Sequence, residues 1–204
     1  MLSVHRPARR LAQLYAGLVL YGASMALQVR AGLGLDPWDV FHQGVADRTG
    51  LSFGTVVILT GAAVLLAWIP LRQRPGIGTI SNVFVIGIAV DATLAVLPDA
   101  GSTPVAWAML LAGVALNGVA SGAYIGAGLG PGPRDGLMTG LVRRTGGSVR
   151  VIRTTIEVGV LAVGVVLGGT VGPGTLIYAL SIGPLIHVFL PRLTVARPAE
   201  LAPA

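Results

Sequence analysis

Apolar residues run through this chain in long blocks, broken by short stretches rich in glycine, proline and charge. A helix rises about 1.5 Å per residue, so about 20 apolar residues cross the roughly 30 Å of a bilayer's hydrocarbon core. Six blocks have that length: residues 11–29, 52–71, 76–97, 104–126, 148–169 and 171–190. They use nearly the whole sequence and leave no room for a soluble domain. The pattern predicts an all-α polytopic membrane protein of six transmembrane helices, one membrane domain over residues 1–204 with flexible tails at 1–10 and 191–204.

Two further segments carry helix signals without the length to span. Each opens with a Gly-rich turn, then a proline, then an aspartate: Gly32, Gly34, Pro37 and Asp39 in one, Gly128, Gly130, Pro133 and Asp135 in the other. Proline suits the first helical position because it has no amide hydrogen to leave unpaired, and a first-turn aspartate complements the helix dipole. The spacing predicts short helices over 37–48 and 133–144, each about 18 Å long. Trp38, Phe41 and Val45 share one face of the first, and Leu137, Met138 and Leu141 one face of the second. Two readings are open: an amphipathic helix at the membrane interface, or a re-entrant segment. Two re-entrant segments entering from opposite faces bring Asp39 and Asp135 together at a watery cavity, with Gly34 and Gly130 permitting close backbone approach.

The two segments belong to a longer repeat. Ala31 to Asp39 recurs as Ala127 to Asp135, a displacement of 96 residues that holds without a gap and gives 14 identities in 35 positions from Ala16 to Gly50. It also pairs Gly76, Gly78, Thr79 and Gly87 with Gly172, Gly174, Thr175 and Gly183. The chain reads as a duplicated unit, repeat one over about 11–97 and repeat two over about 104–190. Three spans per copy is an odd number, so the second copy enters the membrane from the opposite side. Inverted repeats are a common plan of secondary transporters.

Composition sharpens this picture: 53% of residues are hydrophobic, 11% are charged, and mean hydropathy is +0.80. The sequence has no cysteine, which excludes disulfides and thiolate metal sites, and no lysine, which excludes a Gly-Lys-Ser/Thr phosphate loop. Neither a Ser/His pair nor a metal-ligand cluster stands at recognisable spacing, so no enzyme, cofactor or metal is expected.

The net charge of +6 is all arginine and reads as a topology signal rather than a nucleic-acid surface. A basic stretch before the first block is also how a signal peptide starts, but this block is too long and has a full-length counterpart in the second copy. With the amino terminus in the cytoplasm, twelve arginines fall inside and only Arg30 and Arg48 outside. Both termini are therefore expected in the cytoplasm of a multi-pass protein of the plasma membrane.

Gly32-Leu-Gly-x-x-Pro-Trp-Asp39, Arg74-Pro-Gly-Ile-Gly-Thr79 and the stretch from Gly128 to Gly140 together resemble the YczE-type family of bacterial integral membrane proteins, in a grouping with YyaS and YitT. The resemblance covers all but the two tails. It implies a bacterial plasma-membrane protein and brings with it no substrate or catalytic residue.

Three ionisable residues lie inside predicted spans, where such groups are costly and become functional candidates: Asp91, Glu157 and His187. Glu157 follows Arg153 by four residues, a helix-face ion-pair spacing. Asp91 and His187 are repeat equivalents near opposite membrane faces, where each can reach its nearer interface. Arg134, Arg143, Arg144, Arg150 and Arg153 form the densest basic stretch, a candidate contact for anions or lipid head groups beside its plain role in topology. Asn82, Asn117 and Tyr178 suit interhelical hydrogen bonds. Gly118, Gly122 and Gly126 make a small-residue stripe, suited to a seam between the halves or to a homodimer contact.

The expected partner throughout is the lipid bilayer. The expected function is transport, with Asp39, Asp135, Gly34, Gly130, Pro37 and Pro133 at the substrate or gating site. The alternative is a non-transporting scaffold or regulatory partner of another complex.

Overall fold

The computed structural model describes residues 6–195. Among the described residues the chain forms eight helices: α1 (Pro7–Ala31), α2 (Pro37–Thr49), α3 (Phe53–Trp68), α4 (Ile77–Val96), α5 (Thr103–Gly126), α6 (Pro133–Thr145), α7 (Val149–Leu167) and α8 (Pro173–Leu193). All six apolar blocks and both short Pro-Asp helices are present. The first four helices begin 96 residues before the last four, pair by pair, so the duplication is preserved at the level of elements. The expected tails are shortened, since residues 7–10 and 191–193 are helical. Of those tails, residues 1–5 and 196–204 lie outside the described residues.

Local chemistry sets the helix ends. Proline occupies the first turn of α1, α2, α5, α6 and α8, and side-chain oxygens of Asp36, Ser52 and Ser148 cap α2, α3 and α7. Gly32, Gly50, Gly146 and Gly168 end their helices in the left-handed conformation. Against expectation, α8 does not stop before Pro191 but runs through Pro184 and Pro191. Neighbouring helices hold such a segment together where a free helix breaks.

The centre of the molecule is the pair α1 and α5. A Cβ on Gly17 would lie 3.2 Å from the Ala120 carbonyl oxygen, and one on Gly113 would lie 3.0 Å from that of Ser24. Ser24 and Ala120 are themselves 96 apart, so the contact is reciprocal and the two helices run antiparallel. Around this pair, α4 packs on α1 and α8 on α5, while α2 packs on α7 and α3 on α6. The turns cross between copies in the same reciprocal way: the Gly78 amide donates to Leu129 O at 2.9 Å, and the Gly174 amide to Leu33 O at 2.7 Å.

The glycine stripe of α5 has a different partner from the one expected. A Cβ on Gly118 would meet Leu185 at 2.6 Å, one on Gly122 would meet Phe189 at 3.0 Å, and one on Gly126 would meet the Leu193 carbonyl at 2.5 Å. The stripe is filled by α8 of the same copy. It is neither a free homodimer face nor the seam between halves.

Among the described residues three helices, α4, α5 and α8, are long and apolar enough to cross a membrane; α2 and α3, bent by 116° at their junction, make a fourth crossing if taken as one broken span. α1 is long but carries Arg9, Arg10, Gln13, Gln28 and Arg30, and α7 carries Arg150, Arg153 and Glu157. α3 has only 16 residues. The outward sides of α4, α7 and α8 are lined with exposed residues such as Phe84, Ile88, Val158, Val166, Leu176 and Leu180, as a lipid-facing surface requires.

Candidate functional site

The short helices are buried at their first turns, α2 more deeply than α6, whose far end from Arg143 to Thr145 is exposed. Trp38, Asp39, Val40 and His42 of α2 are buried, as are Pro133 and Gly136 of α6, and the first turns of both helices approach the middle of the molecule. The loops before them make this possible. Gly34 and Gly130 have φ of 105° and 130°, and a Cβ at either would strike the start of the opposite copy's last helix, at Gly172 (2.5 Å) or Thr79 Oγ1 (2.7 Å). Thr79 in turn donates from Oγ1 to Pro131 O at 2.8 Å.

The N-terminal turns of α2 and α6 border a cavity of about 180 Å³. Asp36, Pro37, His42, Pro133, Arg134 and Asp135 line it, together with Tyr21, Tyr124, Tyr178, Ser121 and Asn82 from the long helices. Asp39 lies directly behind, 1% exposed, with Oδ1 hydrogen-bonded to His42 Nδ1 at 3.0 Å. Asp36 is the cap of α2: its Oδ1 accepts the amides of Trp38 at 2.9 Å and Asp39 at 3.1 Å. Asp135 Oδ2 accepts from the Tyr124 hydroxyl at 3.3 Å.

Arg134 enters this group from the other copy. Its Nη1 stands 3.9 Å from Asp36 Oδ1 and its Nη2 3.9 Å from Asp39 Oδ1, while its guanidinium lies 4.7 Å above the Trp38 ring. Trp38 and Arg134 occupy equivalent positions of the two copies, so the copies meet at this point. A cation over an indole face is attractive in itself, and at 3.9 Å the carboxylates are within ion-pair range but beyond hydrogen-bond length.

A second buried polar chain crosses α1, α5 and α8 nearby. Tyr178 donates to Asn117 Oδ1 at 3.2 Å and Asn117 Nδ2 donates to Ser24 Oγ at 2.9 Å. Interhelical hydrogen bonding was the expectation for Asn117 and Tyr178, and Ser24 completes the chain.

The other candidates are dispersed. Asp91 caps α3 from the side, its carboxylate accepting from the Gly54 amide at 2.7 Å and from Ser52 Oγ at 2.5 Å, and it is not among the residues that line the cavity. His187 is exposed on α8. Glu157 is paired with Arg153, Oε1 to Nε 2.9 Å, as the four-residue spacing predicts, and both line the cavity's edge.

The five arginines do not form one patch. Arg134 faces the carboxylates, Arg143 donates to Gln73 Oε1 at 2.5 Å, Arg144 donates to Pro70 O at 2.9 Å, Arg150 is exposed, and Arg153 holds Glu157. Sequence reasoning missed Asp36, His42, Tyr21 and Tyr124. Asp36 was legible as an aspartate directly before a helix-starting proline. The others gave no signal, because their counterparts are Met138, Asn117 and Gln28 and repetition does not mark them.

Residues 8–191 match a family of unknown function, DUF6198. The chain belongs to that family. Among its relatives, an uncharacterized protein of Haemophilus influenzae is 38% identical over 85% of this chain and 79% of its own length. The uncharacterized membrane protein YczE of Bacillus subtilis is 33% identical over 87% of this chain and 84% of its own. YyaS of the same organism, also an uncharacterized protein, is 26% identical over 86% and 89%. The YczE-type resemblance read from the turn motifs therefore holds over most of the DUF6198 chain. No solved structure matches it. The relatives and the helices together make it a multi-pass integral membrane protein.

Proposed function

We propose that this protein is a small transporter whose substrate site is the cavity between the first turns of α2 and α6. The observation that carries the reading is the meeting of two half-helices, one from each copy, at a polar cavity walled by long apolar helices. Irregular backbone and ionisable groups at that depth are tolerated where they line a watery path. Under this reading α1, α3, α4, α5, α7 and α8 cross the membrane, the copies are related by a pseudo-two-fold axis in its plane, and the termini are cytoplasmic. α3 then crosses as a thin span, about 24 Å long, continued by α2. Asp39 and Asp135 hold the site's charge, Pro37 and Pro133 start the half-helices, and Gly34 and Gly130 let each entry loop slide against the other copy. Alternating access is a rocking of one copy against the other around the fixed cavity.

The test is a current measurement on proteoliposomes over a solid-supported membrane. Pulses of methylguanidinium, ethylammonium, propionate and glycine are applied in turn, with protein-free liposomes as the blank. At least one is expected to give a saturable transient current, reduced at least tenfold in the double variant Asp39→Asn, Asp135→Asn. No current from any of the four, with a partner protein copurifying from native membranes, would favour the scaffold reading instead.

A further inference from the structure

The side chain that points most directly to a ligand is His42. It is 1% exposed, lines the cavity, and Nε2 has no hydrogen-bond partner among the described residues. Its other nitrogen is engaged: Nδ1 lies 3.0 Å from Asp39 Oδ1, within hydrogen-bond distance. A carboxylate takes the Nδ1 proton as donor, which leaves Nε2 as the nitrogen with the lone pair. The cavity therefore presents a buried acceptor that wants an N–H or O–H donor. A polar atom kept buried without a partner is costly, and a ligand's donor recovers that cost.

Charge around this nitrogen has one sign in excess. Asp36, Asp39, Asp135 and Glu157 stand at or beside the cavity against two cations, Arg134 near Asp36 and Asp39 and Arg153 on the side of Asp135, for a formal charge of −2 with His42 neutral. The first turns of α2 and α6 contribute roughly half a positive charge each, so the site stays acidic by about one charge. Arg134 is too distant, at 3.9 Å, to saturate Asp36 and Asp39 with hydrogen bonds. Arg153 does not remove the excess, because Glu157, 2.9 Å from it, brings an equal and opposite charge.

We infer that the cavity binds a small monovalent organic cation bearing N–H groups, an ammonium or guanidinium, with His42 Nε2 accepting one of its hydrogen bonds and the Asp36 and Asp135 carboxylates balancing its charge. The inference deepens the transport reading and rests on it for the identity of the site. A bare alkali or alkaline-earth ion fits less well. Such ions want a cage of oxygens about 2–2.6 Å away, whereas this site offers an imidazole nitrogen, about 180 Å³ of space and the rings of Tyr21 and Tyr124, 6.0 Å apart and edge to face. Aromatic walls suit an organic cation. The stacking of Arg134 on Trp38 shows a guanidinium already accommodated at the cavity's edge.

Binding is measured separately from transport, as the shift in melting temperature of the purified full-length protein in detergent on titration with methylguanidinium chloride or sodium propionate. Methylguanidinium is expected to stabilise saturably and propionate to have no effect. His42→Ala should weaken the methylguanidinium midpoint about tenfold, and His42→Asn, which keeps an acceptor, should recover part of it. Asp135→Asn is the second variant, also expected to weaken binding about tenfold, and serves if the His42 variants fail to fold. Stabilisation by propionate alone, no response to either salt, or an unchanged methylguanidinium midpoint in the folded variants would overturn the inference. Cation binding without current sinks the transport reading and leaves the cation site standing; propionate current without cation binding does the reverse.

Discussion

Arg134 shows how one residue can be misplaced by a rule that holds on average. In the sequence it belongs to a run of arginines whose bias sets membrane orientation, and an anionic contact was its candidate role. In the structure it leans inward over Trp38 towards Asp36 and Asp39. Removing it leaves two nearly buried carboxylates with less compensation, and breaking such a pair from one side is the costly operation. Arg134→Ala is expected to lower stability by about 1–3 kcal/mol, the lower part of the range for buried pairs because the side chain keeps some solvent contact. Adding Asp36→Asn should recover part of that loss, since asparagine still caps α2 and no longer carries the charge. Thermal unfolding of the two single variants and the double variant checks this; strictly additive losses would show that the charges do not interact.

Among the elements, α6 and α2 solve one packing problem in two ways. Val40 of α2 meets Gly164 of α7, where a Cβ would lie 2.8 Å from the Val40 carbonyl carbon. At the equivalent contact the sizes are exchanged: Gly136 of α6 meets Trp68 of α3, whose indole Nε1 donates to Pro133 O at 3.0 Å. A Cβ on Gly136 would come within 1.9 Å of the indole, and Trp68 is 2% exposed with little room to turn. Gly136→Ala is therefore expected to cost about 1–3 kcal/mol, read as a lower melting temperature, with the Trp68 fluorescence shifted towards water. An unchanged melting temperature would show that α6 can slide along α3 freely.

This exchange also explains what was legible. Helix existence followed from block length and from Pro-Asp spacing, signals that survive duplication. Which helices touch did not follow, because the contacts between α2 and α7 and between α6 and α3 join residues from different copies. The polar site was half legible for the same reason: Asp39 and Asp135 repeat, whereas Asp36 and His42 face Gly132 and Met138 in the alignment and only spatial proximity gathers them.

At the scale of the whole molecule, the reciprocal contacts carry a consequence for the membrane. If α1 and α5 are antiparallel and both cross, the C-terminal ends of α2 and α6 emerge on opposite faces, and each must be wet. Thr49 and Thr145 stand at those ends, equivalent in the two copies and exposed. The chain has no cysteine of its own, so a single introduced thiol reports without background. Thr49→Cys is expected to react with a membrane-impermeant maleimide in intact cells, and Thr145→Cys only after the membrane is permeabilised, in keeping with the excess of arginine on the Thr145 side. Labelling of both from one side would mean that the copies are parallel in the bilayer. Two half-helices meeting at one cavity would then have to enter from the same face, and the rocking mechanism would lose the mirror-related states on which it depends.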